Sequence, residues 1–223
     1  MSRISMANQS KQTDQQALST SKRQVCTQCA RPLSHCVCRL ITVLDSKTRV
    51  VILQHPNESR HALNTARLAM LGLSHAQLHV GREFDASLWN VKGYQPHLLF
   101  PGTDAKVLMP GEHNAVSSEP YLLVVLDGTW RQARQCLIQH PELEALPRVT
   151  LPDSVTTQYR VRYAGDARAL STIEAITASL NVLEAPRSFD ALLAPFEAMI
   201  AAQIEAMGEQ VYHQHHINPG SYE

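Results

Sequence analysis

The chain has 223 residues, 44% hydrophobic and 18% charged, an ordinary globular composition with room for a sizeable core. No run approaches 18 apolar residues, and the first 24 residues lack the apolar centre of a secretory signal. This excludes a helical membrane span and predicts a soluble, cytoplasmic protein. Twenty Lys and Arg balance twenty Asp and Glu, but unevenly: residues 1–70 carry +7, residues 71–170 carry −1 and residues 171–223 carry −6. Arginine outnumbers lysine 15 to 5. Because the guanidinium fork matches phosphate oxygens, the basic first third points to an anionic partner, nucleic acid foremost; termini that are merely solvated are the alternative.

Residues 1–24, rich in Ser, Gln and Lys, are expected to be a disordered arm. Residues 25–39 hold a cysteine cluster. Arg49–Gln54 (RVVILQ) is continuous and β-branched, hence a buried strand, and His55-Pro56 ends it. Asn57 is placed to cap a helix from about Glu58 to Leu71, whose stripe Ala62, Leu63, Ala66, Leu68, Ala69, Met70 has helical spacing. Gly72 stops it. Ala76–Val80 is a short strand, 81–96 is irregular, and His97–Phe100 is a strand closed by Pro101-Gly102. Residues 101–119 read as a polar loop. Tyr121–Leu126 (YLLVVL) is the strongest strand in the chain. A helix follows from Thr129 to about Gln139, broken at Pro141. Arg148–Leu151 and Tyr159–Arg162 are short strand candidates. Ser171–Leu183 is a helix capped by Ser171 or Thr172, residues 189–209 form a last helix, and 211–223 are a flexible tail. Uniformly apolar strands alternating with helices define an α/β fold with a mostly parallel sheet. Such sheets bind ligands outside the carboxyl ends of their strands, so His55-Pro56-Asn57, Phe100-Pro101-Gly102 and Asp127-Gly128-Thr129-Trp130 are the segments of interest.

Cys26, Cys29, Cys36 and Cys38 place four thiols within thirteen residues. Close-set cysteine pairs on tight turns suit a tetrahedral structural zinc, and the segment reads as a small N-terminal zinc knuckle. Four reduced surface thiols or a redox pair are the alternatives, and His35 is a substitute ligand for one thiol. Cys136 falls in a helix and is not assigned to the site.

At the strand–helix corner, Asp127 and Thr129 are ordinary N-cap residues, yet Asp127 also stands where a carboxylate would face a crevice. Trp130 can stack on a planar base or pack on the sheet. Arg131 and Arg134 lie three apart, on one helix face. Arg60 and Arg67, seven apart, are also expected on one face and could track phosphates. Asn64 and Thr65 are poor helix formers placed inside the expected helix, which implies that something besides propensity holds them there. Ser171-x-x-Glu174 fits a capping box.

Taken together, C-x2-C-x6-C-x-C, H-P-x-E with N-T-x-R downstream, D-G-T-W and L-S-T-I-E-A resemble the DTW-domain proteins. The resemblance runs from about Cys26 to Leu183, with all motifs in the family's order. It implies a SPOUT-like sheet, with or without a knotted C-terminal part, as a catalytic domain over 41–210 behind a knuckle at 25–40. It implies a tRNA-uridine aminocarboxypropyltransferase, which moves the 3-amino-3-carboxypropyl group of S-adenosylmethionine to the uridine ring nitrogen N3. On that reading Asp127 is the general base or uridine orienter. Phe100, Leu126, Thr129, Trp130, Leu170, Ser171 and Thr172 hold the donor. His55, Arg60, Asn64, Arg67, Arg131, Arg134 and Arg160 face tRNA, although a purely structural His55 fits equally well. An S-adenosylmethionine-dependent RNA methyltransferase and a non-catalytic zinc-ribbon RNA binder are the rival readings. A zinc deaminase and a P-loop enzyme are set aside, because their motifs do not occur.

Overall fold

The computed structural model describes residues 24–61, 63–110, 119–157 and 170–208. Six strands form one sheet: β1 (Arg49–Gln54), β2 (Ala76–Val80), β3 (Gln95–Leu99), β4 (Lys106–Val107), β5 (Tyr121–Asp127) and β6 (Arg148–Thr150). Their order is β2-β1-β5-β3-β6-β4, and every pairing is parallel. The helices are α1 (Thr65–Leu71), α2 (Trp130–Gln139), α3 (Pro141–Glu144), α4 (Thr172–Leu183) and α5 (Ala194–Met207).

The central strands β1 and β5 alternate their side chains between two cores. Val50, Ile52, Leu123 and Val125 face one side and pack with α1, α4 and α5 through Ala66, Leu68, Ile173, Ile176, Leu180 and Met199. Val51, Leu53, Leu122 and Val124 face the other and pack against Trp89, Leu98, Leu137 and Leu143. Both faces are dry, which explains why these strands read as unbroken apolar runs.

Two connections set the position of the site. After β1 the chain turns to α1 on the first face and returns as β2. After β5 it turns to α2 on the opposite face and continues towards β6. The chain therefore leaves these adjacent strands in opposite directions, which opens a crevice at their carboxyl ends.

Several expectations are corrected. The helix expected from Glu58 is split into a single 3-10 turn, Glu58–Arg60, and α1 proper, which starts at Thr65. Asn57 makes no side-chain cap, whereas Asn64 Oδ1 accepts the Arg67 N–H at 3.0 Å. Asn64 sits at the helix start because its short amide competes with the backbone inside a helix and satisfies it at an N-cap. Arg60 and Arg67 accordingly do not share a helix face. The loop at 101–119 contains β4, which lies at the sheet edge beside β6. Gly72 does end α1, with φ −92°, and close packing explains the residue: a Cβ there would lie 2.6 Å from Leu192 Cδ2. The last helix begins as a 3-10 turn, Asp190–Leu193, before α5.

The strand expected at Tyr159–Arg162, Arg160 itself, the tail at 211–223 and all of the arm except Gln24 lie outside the described residues. Among the described residues no helix is long and apolar enough to cross a membrane.

Candidate active site

Asp127 is the last residue of β5 and pairs in register with Gln54, the last residue of β1. Gln54 is wholly buried. Its Nε2 donates to Asp127 Oδ2 at 2.7 Å and to Asn64 Oδ1 at 3.0 Å. On the other side, the Thr172 hydroxyl at the start of α4 donates to Asp127 Oδ1. One chain of hydrogen bonds thus joins the N-cap of α1, the ends of β1 and β5 and the N-terminus of α4. Buried amide and carboxylate groups need such partners, since an unpaired one costs about 1–3 kcal/mol.

Behind this chain, Ser171 caps α4. Its N–H and hydroxyl both donate to Glu174 Oε2, at 2.8 and 2.7 Å, and the Thr157 hydroxyl reaches the same carboxylate at 3.0 Å. Ser171 and Glu174 are both buried, so this box fixes the angle at which Thr172 meets Asp127.

The α2 corner is built the same way. Thr129 caps α2 in a capping box: its N–H donates to Gln132 Oε1 at 2.7 Å, and its Oγ1 accepts the Gln132 N–H at 3.3 Å. Gln132 Nε2 lies 3.1 Å from His55 Nδ1. The backbone N–H of His55 donates to the backbone carbonyl of Asp127 at 2.9 Å.

Two clefts flank this corner. The first, about 600 Å³, is lined by His55, Arg82, Asp127, Thr129 and Arg131. The second, about 470 Å³, is lined by Phe100, Leu126, Trp130, Leu170 and Thr172. Leu126 lines both. Asp127 therefore forms part of the wall between them, open to the first cleft and tied through Thr172 to the second. Trp130 is 54% exposed and meets Phe100 edge to face, ring centroids 5.6 Å apart, over the second cleft. The sheet-packing tryptophan is instead Trp89, which is fully buried.

Of the residues expected to hold a donor, Phe100, Leu126, Trp130, Leu170 and Thr172 come together in one cleft. Thr129 lines the other cleft, and Ser171 lies beneath Thr172. Of the residues expected to face tRNA, His55 and Arg131 share the first cleft, while Arg134 lines a third hollow together with Phe100, Trp130 and Arg148. Asn64 belongs to the Asp127 chain, and Arg67 Nη1 donates to the Gln28 carbonyl at 3.2 Å, tying α1 to the cysteine segment. Arg60 is exposed at the end of its 3-10 turn. Sequence reasoning missed Gln54. Its only signal was a polar residue closing an otherwise apolar strand.

The cysteine segment packs on the main core through Cys29 and Val37. Cys26 Sγ lies 3.6 Å from Cys38 Sγ, Cys29 Sγ lies 3.8 Å from Cys36 Sγ, and all four sulfurs fall within 4.8 Å of one another. A tetrahedral Zn–S4 site with bonds of about 2.3 Å has sulfur–sulfur edges of about 3.8 Å, so the four thiols fit a metal of that kind. Backbone N–H groups of Cys29 and Gln28 pull the Cys26 thiol down to about 6. Burial and the neighbouring thiols push Cys38 up. Thiols this close do not all deprotonate without a cation among them. His35 is not one of the four: its Nδ1 pairs with Ser34 Oγ at 2.8 Å.

A wholly parallel α/β sheet, a carboxylate held at its switch point and a four-cysteine knuckle define the class of protein. A family model described as the DTW domain matches residues 23–204, and the chain belongs to the DTW-domain family. A Drosophila melanogaster protein named tRNA-uridine aminocarboxypropyltransferase 2 is 31% identical over 196 residues, covering 83% of this chain and 77% of the fly protein. The Mus musculus protein of the same name is 31% identical over 196 residues, 82% of this chain and 65% of its own length. An Arabidopsis thaliana tRNA-uridine aminocarboxypropyltransferase A is 30% identical over 132 residues, about half of each chain. The chain thus spans about two thirds to three quarters of the animal relatives. No solved structure matches.

Proposed function

We propose that this chain is a tRNA-uridine aminocarboxypropyltransferase that takes its group from S-adenosylmethionine. The observation that carries the reading is the position of Asp127 between two clefts, with each carboxylate oxygen already fixed by one donor. The names of its relatives support the same reaction rather than methyl transfer.

The second, more apolar cleft is suited to the donor. Phe100, Leu126 and Leu170 offer apolar walls, and Trp130 an aromatic face for a planar base. The first cleft is suited to the target uridine, with Arg82 and Arg131 at its rim for backbone phosphates. Uridine N3 is a poor nucleophile while it holds its proton. Asp127 accepts that proton, N3 bonds to the methylene of the aminocarboxypropyl chain that is attached to sulfur, and that carbon–sulfur bond breaks to release a neutral thioether that keeps the methyl group. Asp127 faces N3 because Gln54 and Thr172 hold its oxygens from behind and from the side, so alignment is prepared before substrate arrives. Cys26, Cys29, Cys36 and Cys38 would hold zinc as a structural ion, bracing α1 through Arg67 and Gln28. Unpaired thiols of this kind suit the cytoplasm, where they stay reduced.

The test is mass spectrometry of nucleosides from unmodified tRNA incubated with the protein and carboxyl-labelled S-adenosylmethionine. A labelled uridine heavier by one aminocarboxypropyl group is the expected product. A methylated, unlabelled nucleoside would overturn the reading.

A further inference from the structure

We propose that His55 is the residue that selects uracil, acting as a fixed hydrogen-bond donor to one of the two carbonyls beside N3. This rests on the transfer reading above and adds the atom that recognises the base.

The backbone N–H of Thr129 can only donate, so the Gln132 side-chain atom 2.7 Å from it is the carbonyl oxygen Oε1. The Gln132 amide nitrogen Nε2 is then the atom 3.1 Å from His55 Nδ1, and it points its hydrogen there. The backbone N–H of Asn57 also donates to Nδ1, at 3.2 Å. Two independent donors converge on Nδ1, so it is the acceptor nitrogen and the imidazole proton resides on Nε2. Nε2 has no hydrogen-bond partner among the described residues, and His55 lines the same cleft as Asp127. The lining of the cleft therefore includes an acceptor, the Asp127 carboxylate, and a neutral donor, His55 Nε2–H.

Uracil presents the complementary edge, an N3–H donor between two carbonyl acceptors. Cytosine presents an unprotonated N3 towards the carboxylate and an amino group on one side, which opposes Asp127 at N3 and His55 wherever its donor meets that amino group. Sites built on such pairing reject a mismatched edge by about 10⁴-fold or more. Gly128 belongs to the same device. A Cβ at that position would lie 3.0 Å from Gln132 Oε1, 3.2 Å from Gln132 Cβ and 3.5 Å from His55 Cβ, so only glycine lets Gln132 stand behind the histidine undisturbed.

The test has two arms on the full chain. Nitrogen-15 NMR of the His55 ring reads the tautomer directly: a proton on Nε2 is expected, and a proton on Nδ1 overturns the proposal. In the second arm, tRNA carrying 2-thiouridine or 4-thiouridine at the target is compared with uridine in the wild type and in His55→Ala, so that the thio group's own effect on N3 cancels. For one of the two positions, the thio-for-oxygen loss in kcat/KM is expected to be about 10-fold larger in the wild type than in the variant. His55→Gln, which keeps an N–H donor, is expected to restore part of the difference. Equal ratios in both backgrounds at both positions overturn the inference alone. A wild-type chain that transfers nothing to uridine overturns the transfer reading, and the inference falls with it.

Discussion

Gln54 faces Asp127 across the parallel pairing of β1 and β5, and its amide nitrogen lies 2.7 Å from the carboxylate. The same nitrogen reaches Asn64 at 3.0 Å. A single buried side chain thereby couples the start of α1 to the proposed catalytic group. Gln54→Leu removes the donor and leaves Asp127 and Asn64 short of a partner. The expected outcome is a loss of about 1–3 kcal/mol in urea denaturation. Transfer should fall with it, because the carboxylate is free to rotate. Unchanged stability and rate would show that the amide is dispensable.

The cysteine segment is bound to the main core, so its integrity should register in the whole domain. Cys26→Ser and Cys38→Ser are expected to lower bound zinc, measured by elemental mass spectrometry, and to lower the thermal midpoint together. Chelation of the wild type should reproduce the shift, since structural zinc contributes to folding directly. A wild-type protein from zinc-replete medium that carries no metal would contradict this.

Gly128→Ala separates alignment from folding. The added methyl meets Gln132 at 3.0–3.2 Å, so the capping amide must shift. We expect a thermal midpoint within a few degrees of the wild type but a transfer rate about 10-fold lower, as for other small misplacements of reacting groups. A rate equal to the wild type would remove Gly128 and Gln132 from the account.

Cys136 lines the first cleft but is a poor nucleophile. Burial, and secondarily Glu83, push its thiol up to about 11, so the neutral form predominates at pH 8. The lost thiolate is partly offset by the greater reactivity of what remains. Alkylation at pH 8 is therefore expected to be about 10-fold slower than for an exposed cysteine. Peptide mapping after timed iodoacetamide treatment measures it, and labelling as fast as a free thiol would contradict the assignment.

Much of this was legible in the chain itself, for physical reasons. RVVILQ and the strand ending in Asp127 are buried on both faces, and a fully buried strand writes its bounds as an unbroken apolar run. The caps at Thr129 and Ser171 were readable because a cap is a local event between residues three apart. Other features depend on distant partners and left no local trace. The late start of α1 was hidden because its apolar stripe continues in phase upstream of Asn64. The two-residue β4 exists only through its pairing with β6, and both its residues are exposed. Gln54 looked like the end of a strand, and nothing near it in sequence discloses Asp127, seventy-three positions away. The two clefts, and the separation of Thr129 from Thr172 between them, follow from α2 and α4 lying on opposite faces of the sheet.

The most direct test of the account is Asp127→Asn, assayed in parallel for single-turnover transfer to tRNA and for equilibrium binding of S-adenosylmethionine. The substitution keeps the size of the side chain and removes its capacity to take a proton. Transfer is predicted to fall about 10²–10⁴-fold with donor affinity nearly unchanged. A loss of donor binding that accounts for the whole loss of transfer would contradict the account and make Asp127 a structural or donor-binding residue.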